Sequence, residues 1–259
     1  MRVNHGQAVL ALIGVTGFIA GCGGSSSSSS VAHIRTLNDT TNGDAVTVIV
    51  NTASVISNQP LNGPAPPYLF INTGTSTFSY ISYVNSNSST STLPSSADPY
   101  NTTAQINSGV YYTAYATGRP DLVTPITSPI PYGAMQTVVY PDTHSLPSAG
   151  NVNLRFFNGA PDANTSTNLG AVDFYLDNGA KPIITDVPFA GISGFATTVP
   201  SGTHQIEAYQ AGSKTNLVFA TTTALTFTSQ RTETIEFQEP TATFSPNVYT
   251  FQFTQIEDF

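Results

Sequence analysis

The chain has 259 residues, 39% of them hydrophobic and 10% aromatic, which is enough apolar material to bury a core. Seven Lys and Arg stand against fifteen Asp and Glu, giving a formal net charge of −8. This acidic balance argues against nucleic acid as a partner, because phosphate is neutralised by basic patches.

The N-terminus has the pattern of an export signal. Arg2 precedes an apolar run from Ala8 to Ala20, and Ile19-Ala20-Gly21-Cys22 ends in small residues before the only cysteine. This segment resembles the lipobox of bacterial lipoproteins, in which the cysteine is diacylated and the preceding peptide is removed. We therefore predict a signal peptide over 1–21 and a lipid on Cys22. A run of about 13 residues is too short to span a bilayer, which disfavours a transmembrane helix; a plain secretory signal is the other alternative.

A flexible tether is predicted over residues 22–30. Gly23, Gly24 and six serines cannot bury apolar surface, and an eight-residue Gly/Ser coil spans ~15 Å. From Cys22 onward the net charge is −9, so we expect no membrane attraction beyond the lipid itself. In lipoproteins of two-membraned bacteria an Asp after the acylated Cys signals inner-membrane retention, so Gly23 favours the outer membrane. With Cys22 lipidated, no disulfide can form.

Much of the mature chain alternates apolar and polar residues with the period of β-strands. The apolar members of three such runs are Val152, Leu154 and Phe156; Val172, Phe174 and Leu176; and Tyr249, Phe251 and Phe253. Asp177-Asn178-Gly179 and Pro200-Ser201-Gly202 have the composition of turns. The pattern predicts an all-β protein whose strands bury one face each.

The chain also repeats itself. Ile34-Arg35-Thr36-Leu37-Asn38 matches Leu154-Arg155-Phe156-Phe157-Asn158, and Ala45–Val50 matches Ala171–Leu176. Four residues recur 128 positions later: Pro60, Gly63, Gly74 and Thr75 as Pro188, Gly191, Gly202 and Thr203. We predict two tandem antiparallel Ig-like β-sandwich domains, over 31–146 and 147–259.

Two segments are similar to a known family. Leu154 to Ala163, followed by Ala171 to Asp177, resembles the opening of the domain-of-unknown-function family 4397, with its Leu-Arg, Pro-Asp-Ala and Val-Asp steps. Gly109 to Gly118 resembles a later strand of that family. The copies depart from the pattern at Asp39-Thr40-Thr41 and at Arg231 to Thr234. The resemblance implies architecture and location, and it transfers no catalytic residues because the family has no established activity.

Candidate metal ligands are sparse. The mature chain retains three histidines: His33, His144 and His204. None has the i, i+2 or i, i+4 spacing of a zinc pair. Four aspartates are candidate calcium ligands: Asp162, Asp173, Asp177 and Asp186. They lack the dense spacing of a calcium loop, and we place Asp177 in a turn and Asp173 on the polar side of its strand. We predict no metal and no cofactor.

Catalytic motifs are equally weak. Gly191-Ile192-Ser193-Gly194 lacks the Gly-x-Ser-x-Gly spacing of a nucleophile elbow. Four glutamates are formally available as a glycosidase pair: Glu207, Glu233, Glu236 and Glu239. Glu233 and Glu236 face opposite sides of a strand, and solvation at the surface is the preferred interpretation. We predict that the protein is not an enzyme; a cell-envelope hydrolase acting on glycan or peptide is the alternative.

Aromatic residues concentrate in the first predicted domain: Tyr68, Phe70, Phe78, Tyr80, Tyr83, Tyr111, Tyr112 and Tyr115. Core packing is the preferred interpretation, although exposed rings can bind sugars or anchor an interface. Tyr111 and Tyr112 must face opposite sides, so one is expected near solvent. We predict an envelope lipoprotein acting as a non-catalytic binding or structural module for a protein or glycan partner. Its expected contact loops are Asn85–Tyr100 and Asn158–Gly170; a scaffold subunit of a larger assembly is a third hypothesis.

Overall fold

The computed structural model describes residues 30–41, 45–61, 63–83, 101–119, 134–142, 145–161, 170–221, 223–244 and 247–258. These residues form eighteen β-strands and no α-helix, which confirms the all-β prediction. Accordingly, no helix among them is long and apolar enough to cross a membrane.

The first half of the chain contains eight strands: β1 (Val31–Thr40), β2 (Ala45–Val50), β3 (Ala53–Pro60), β4 (Leu69–Asn72), β5 (Gly74–Tyr83), β6 (Thr102–Ile106), β7 (Tyr111–Gly118) and β8 (Gln136–Asp142). They form two four-stranded sheets, ordered β4-β1-β7-β8 and β3-β2-β5-β6. The sheets meet in a core to which both contribute buried side chains, among them Ile34, Tyr112 and Ala114 from one sheet and Phe78 and Ile106 from the other.

The second half contains ten strands: β9 (Asn151–Asn158), β10 (Val172–Leu176), β11 (Ile184–Val187), β12 (Ala196–Pro200), β13 (Gly202–His204), β14 (Ile206–Gln210), β15 (Leu217–Ala220), β16 (Leu225–Phe227), β17 (Thr232–Phe244) and β18 (Asn247–Glu257). Its sheets are β12-β9-β17-β18, β11-β10-β14-β15 and the pair β13-β16. The core here is rich in aromatic residues, with Phe156 stacked on Phe174 at a centroid distance of 4.4 Å.

The two halves repeat one another in detail. In each half the first strand pairs in parallel with a later one, β1 with β7 and β9 with β17, so the sheets are not purely antiparallel as predicted. Asn38 Nδ2 donates to the Gln59 carbonyl, and Asn158 Nδ2 makes the equivalent bond to the Val187 carbonyl. The Pro-Gly turns also correspond, because the amide of each glycine donates to the carbonyl of its proline. Equivalent hydrogen bonds therefore occur at corresponding positions of the two halves.

The central strands bury both faces, whereas the alternating pattern predicted one. On β9, Leu154 and Phe156 enter the core as expected, but Arg155 and Phe157 are buried as well. The reason is that the sheets β4-β1-β7-β8 and β12-β9-β17-β18 cover each other's outer faces, where Leu37, Tyr115, Phe157 and Ile256 form one cluster. We call this region the central interface. It holds most of the charged groups that the fold encloses.

Candidate functional site

Several predicted positions lie outside the described residues. These are the lipidation site Cys22, His144, Asp162, the loop Asn85–Tyr100 and most of the loop Asn158–Gly170. The predictions made for them stay predictions. The site described below is built from the central interface and its surroundings.

The central interface is organised around two buried arginines. Arg35 comes from β1, where the alternation of the strand points it away from the core of the first half. Its Nε donates to Thr113 Oγ1 at 2.9 Å, its Nη1 donates to the Glu257 carbonyl at 3.2 Å, and its Nη2 forms an ion pair with Asp258. Both side chains of the pair are almost fully buried. The guanidinium is thus neutralised by Asp258, which directly follows the last strand of the opposite half.

Arg155 makes the reciprocal set of contacts. From β9 its Nε donates to Thr234 Oγ1 at 2.8 Å and its Nη1 to the Pro141 carbonyl at 2.9 Å, while Nη2 pairs with Asp142. Nη2 also lies 3.3 Å from Asp258. Each half therefore supplies one arginine and one aspartate, and each arginine is matched by the aspartate of the other half.

The threonines complete these ion pairs. Thr113 accepts from Arg35 and donates to Asp142 Oδ2 at 2.6 Å, and Thr234 likewise connects Arg155 to Asp258 at 2.6 Å. A buried ion pair is stable only where hydrogen bonds satisfy the remaining polar atoms, and these hydroxyls supply them. The network is closed on itself, and it offers a structural function more readily than a catalytic one.

Aromatic rings cover the guanidinium groups. The Arg35 Cζ lies 4.8 Å from the centroid of Tyr68, and the Arg155 Cζ lies 5.0 Å from that of Phe195. Such cation–π contacts are strongest where water is excluded. The Tyr68 hydroxyl adds a bond of 2.8 Å to Asp142 Oδ2, which Phe195 has no group to reproduce. The two arginine sites are therefore similar but not identical.

A second group of the interface is acidic. Asp39 of β1 and Glu236 of β17 are both buried, and Gln238 Nε2 donates to both, to Asp39 Oδ1 and to Glu236 Oε2. The other oxygens, Asp39 Oδ2 and Glu236 Oε1, have no hydrogen-bond partner. Two carboxylates cannot both stay charged so close together in a buried site.

Burial sets the protonation of this pair. It raises the pKa of Asp39 to about 7, although hydrogen bonds from Gln238 and Glu236 act in the opposite direction. Burial also raises the pKa of Glu236 well above its usual value, and the neighbouring Asp39 charge adds to the effect. The pair therefore retains a proton near neutral pH. Because it is enclosed between the halves, it is a candidate for controlling stability.

The predicted histidines occupy separate environments. His33 stacks on Tyr111 with centroids 4.1 Å apart, on the outer face of the first half. His204 Nδ1 lies 2.6 Å from Asp177 Oδ2, and its Nε2 lies 3.1 Å from the Pro200 carbonyl. Over the described residues, no group of three His, Cys, Asp or Glu side chains is arranged to hold a metal ion.

The aspartates of the second half support the backbone. Asp177 lies in the predicted turn, with positive φ at both Asp177 and Asn178, and accepts from the Gln205 amide at 2.9 Å. Asp173 was expected on the polar side of its strand, but it is buried. Its carboxylate accepts from the amides of Asp186 and Gly212, both at 2.8 Å. These two hydrogen bonds from backbone amides explain why the Asp173 carboxylate is tolerated in a buried position.

The interpretation of the glutamates as solvated surface residues is wrong for three of the four. Glu233, Glu236 and Glu239 are buried, because the first half and β18 cover the strand that carries them. Glu233 and Glu236 do not form a pair: Glu233 accepts from Gln255 at 2.6 Å, and Glu236 accepts from Gln238. The partly exposed Glu207 accepts from Lys214 at 3.0 Å.

Ser193 borders a cavity of 410 Å³ lined also by Ile184, Asp186, Pro188 and Ile192. Its hydroxyl accepts from the Phe156 amide at 2.9 Å and donates to the Gly194 carbonyl at 2.7 Å. The serine thus joins the Gly191 turn to β9. Asp186 is the only acid in this lining, so the cavity lacks a carboxylate pair.

The aromatic residues divide between core and surface. Phe78, Tyr80, Tyr112 and Tyr115 are buried, whereas Tyr111 is partly exposed and Phe70 is 72% exposed. The opposite placement of Tyr111 and Tyr112 is confirmed. Tyr115 crosses into the central interface, where its ring stacks on Phe157 at 4.0 Å.

Sequence reasoning did not single out the four charged residues of the network, Arg35, Arg155, Asp142 and Asp258. A usable signal was present. Arg35 and Arg155 are two of only seven Lys and Arg residues, and they occupy equivalent positions in the repeat, each directly after an apolar strand residue. A rare charge repeated within a buried strand indicates a buried partner.

These features define an all-β protein whose two halves are joined by a buried, reciprocal charge network. A model of the family described as a domain of unknown function (DUF4397) matches residues 32–165, just over half of the chain. The chain therefore belongs to the DUF4397 family. The matched segment covers the first half and continues through β9. No curated protein matches the sequence.

Proposed function

We propose that the protein is a membrane-anchored envelope lipoprotein, held through Cys22, that acts as a non-catalytic binding or structural module. The observation that best supports this role is the central interface. Its arginines and aspartates neutralise one another across the two halves and are enclosed there. Such an arrangement joins the halves into one body that can present its outer loops to a protein or glycan partner.

The two halves are proposed to be tandem Ig-like sandwich domains over 31–146 and 147–259, the second being a further DUF4397 copy. No sheet of the described chain combines strands from both halves, which supports this division. The equivalent asparagine bonds and Pro-Gly turns in the two halves support a common origin.

The hydrolase alternative requires two carboxylates open to a substrate. Asp39 and Glu236 are close together, but both are enclosed by the central interface. Since a substrate has no access to them in this arrangement, we keep the non-catalytic role as the conclusion.

The anchor is tested by fractionating cells that express the full chain. Cys22→Ala should move the protein from the membrane fraction to the soluble fraction and abolish labelling with a palmitate analogue. Ser25→Ala, in the adjacent tether, is the matched control and should leave both unchanged. If Cys22→Ala still sediments with membranes, the lipid assignment is wrong. Crosslinking in intact cells then identifies the partner, and separation of inner from outer membranes tests the outer-membrane proposal.

A further inference from the structure

Few large apolar side chains are exposed in the described part of the chain. They are Leu69 at 38%, Phe70 at 72%, Leu146 at 60% and Leu217 at 53%. Isolated exposed residues need no explanation, but a cluster at one end of a molecule indicates a contact surface. Their positions along the strands decide which case applies.

Contacts across the central interface indicate that β1 and β9, which belong to the two facing sheets, run in the same direction. Arg35 and Arg155 both contact Asp258, so these residues lie at one level. Four residues further along β1, Asp39 reaches Gln238, which lies four residues beyond Thr234 on β17. The starts of β1 and β9 are therefore at the same end of the molecule, which we call the tether end.

Three of the four exposed side chains are at the tether end. Leu69 and Phe70 pair with Ile34 and His33 near the start of β1. Leu146 follows Ser145, whose carbonyl accepts from Asn153 at the start of β9 and from Thr232 at the start of β17.

The fourth exposed residue lies at the opposite end. Leu217 pairs with Tyr209, next to Gln210, which pairs with Val172. Val172 in turn pairs with Val187, whose carbonyl accepts from Asn158 at the far end of β9. Leu217 is thus separated from the other three by the length of the sheet.

The proposed tether enters at the same end. Ser30, its last residue, bonds to Thr73 through both side chain and backbone, and Thr73 directly follows β4. An eight-residue Gly/Ser coil spans only ~15 Å, so a lipid on Cys22 would hold this end close to the bilayer.

The chemistry of the tether end suits a lipid interface. The ring centroids of Phe70 and His33 are 4.9 Å apart, and those of Tyr68 and Tyr111 are also 4.9 Å apart. The group combines apolar ring surfaces with polar hydroxyl and imidazole groups. Aromatic side chains of this kind are favoured at the level of lipid headgroups. Arg231 and Glu257, beside the start of β17, form an ion pair of 2.5 Å and so neutralise each other. This Arg231–Glu257 pair therefore adds no net negative charge to the tether end.

We propose that the tether end is a lipid-docking surface: Leu69, Phe70 and Leu146 rest in the headgroup region of the membrane and fix the orientation of the anchored protein. This inference depends on the proposed lipid anchor. The attraction is apolar, unlike the electrostatic attraction that the sequence argues against. The opposite end, with Leu217, then points away from the membrane.

The chain contains no tryptophan, so a single introduced indole reports its own environment. Lipidated full-length protein carrying Phe70→Trp is reconstituted into vesicles of phosphatidylethanolamine and phosphatidylglycerol, with or without brominated acyl chains. Leu217→Trp is the matched control at an equally apolar exposed site. We expect emission from Phe70→Trp to shift to shorter wavelength and to be quenched by the brominated lipid, while Leu217→Trp stays unshifted and unquenched.

Three results would overturn the proposal. One is a Phe70→Trp protein that remains on the vesicles with neither a shift nor quenching of its emission. Another is equal quenching of both variants, which would mean that the membrane contacts the two ends of the protein equally. A blue shift without lipid quenching would show that protein, a second copy or an extended peptide, covers the surface. Failure to remain on vesicles at all would instead contradict the lipid anchor of the proposed function.

Discussion

Arg35 and Asp258 are separated by 223 positions in the sequence, yet they form a direct ion pair at the buried centre of the molecule. The mirror-image pair joins Arg155 to Asp142. For each arginine the shortest ion-pair contact is with the aspartate of the other half. The halves are therefore mutually dependent, and this dependence governs how the protein responds to substitution and pH.

Removing one arginine should be costly. Arg155→Leu leaves Asp142 buried without its cation, and loss of one partner of a buried pair costs about 3–5 kcal/mol. Arg155 approaches both Asp142 and Asp258, whereas Arg35→Leu still leaves Arg155 beside Asp258. We expect Arg155→Leu to lower the free energy of unfolding more than Arg35→Leu, as measured by urea denaturation.

The control for the arginine series is Arg231→Leu. Arg231 and Glu257 are 45% and 58% exposed, and a surface pair contributes less than about 1 kcal/mol. Equal destabilisation by Arg231→Leu and Arg155→Leu would contradict the assignment of the central network as the structural junction.

Stability should decrease as the pH rises from about 4 towards neutrality. The pKa of Asp39 is raised from 3.8 to about 7 in the folded protein, so folding favours the protonated form. The contribution is complete below about pH 4 and is lost progressively until the pH reaches the folded value of about 7. Glu236 shifts in the same direction. Thermal unfolding from about pH 4 to about pH 8 measures the effect.

Asp39→Asn should flatten this pH dependence, because the amide cannot lose a proton. The exposed Asp186 provides a matched control: Asp186→Asn should follow the wild-type profile. If Asp39→Asn and the wild type lose stability in parallel between pH ~4 and pH ~7, the buried carboxyl pair is not the group responsible.

The Tyr115 hydroxyl is predicted to be dispensable. It is buried without a hydrogen-bond partner, whereas its ring stacks on Phe157. Tyr115→Phe retains the ring and removes the unsatisfied group, so stability should rise by about 1 kcal/mol. Phe157→Ala should lower it by about 3–5 kcal/mol through loss of packing. Denaturant titration distinguishes the two, and a destabilised Tyr115→Phe would indicate that the hydroxyl is used.

The Pro-Gly turn of the second half should reject a side chain. A Cβ on Gly191 would lie 2.8 Å from the carbonyl oxygen of Pro188, closer than packing allows. Gly191→Ala should therefore destabilise the protein by about 1–3 kcal/mol. Gly194, three residues later, has open space around it, and Gly194→Ala is the control expected to be nearly neutral. Calorimetry of the two variants provides the comparison.

The sequence was sufficient to predict several strands and the side of each strand that faces the core. Val152, Leu154 and Phe156 identify β9 and the side of it that faces the core. The turn predicted at Asp177-Asn178-Gly179 is present in the structure. Strand alternation is a local property, so it can be seen without knowing the partner strand. The parallel pairing of β1 with β7 depends on distant segments and had no local signal.

Whether the polar strand residues are buried or exposed could not be predicted in the same way. Arg155 and Glu236 alternate with apolar neighbours as solvent-facing residues do, and only the opposing sheet turns their face into an interior. A polar residue on an alternating strand looks the same whether water or another sheet covers it. The repeated arginine was the one local indication that the second arrangement applied.

The reciprocal arrangement has a consequence for the order of events during biosynthesis. Asp258 lies 223 positions after Arg35, so β1 to β8 are synthesised before Arg35 can meet its counter-charge. The final packing of the first half therefore waits for the residues around Asp258. A product truncated before Asp258 would leave Arg35 uncovered and without its ion pair, and incompletely packed chains of this kind are degraded by cellular proteases.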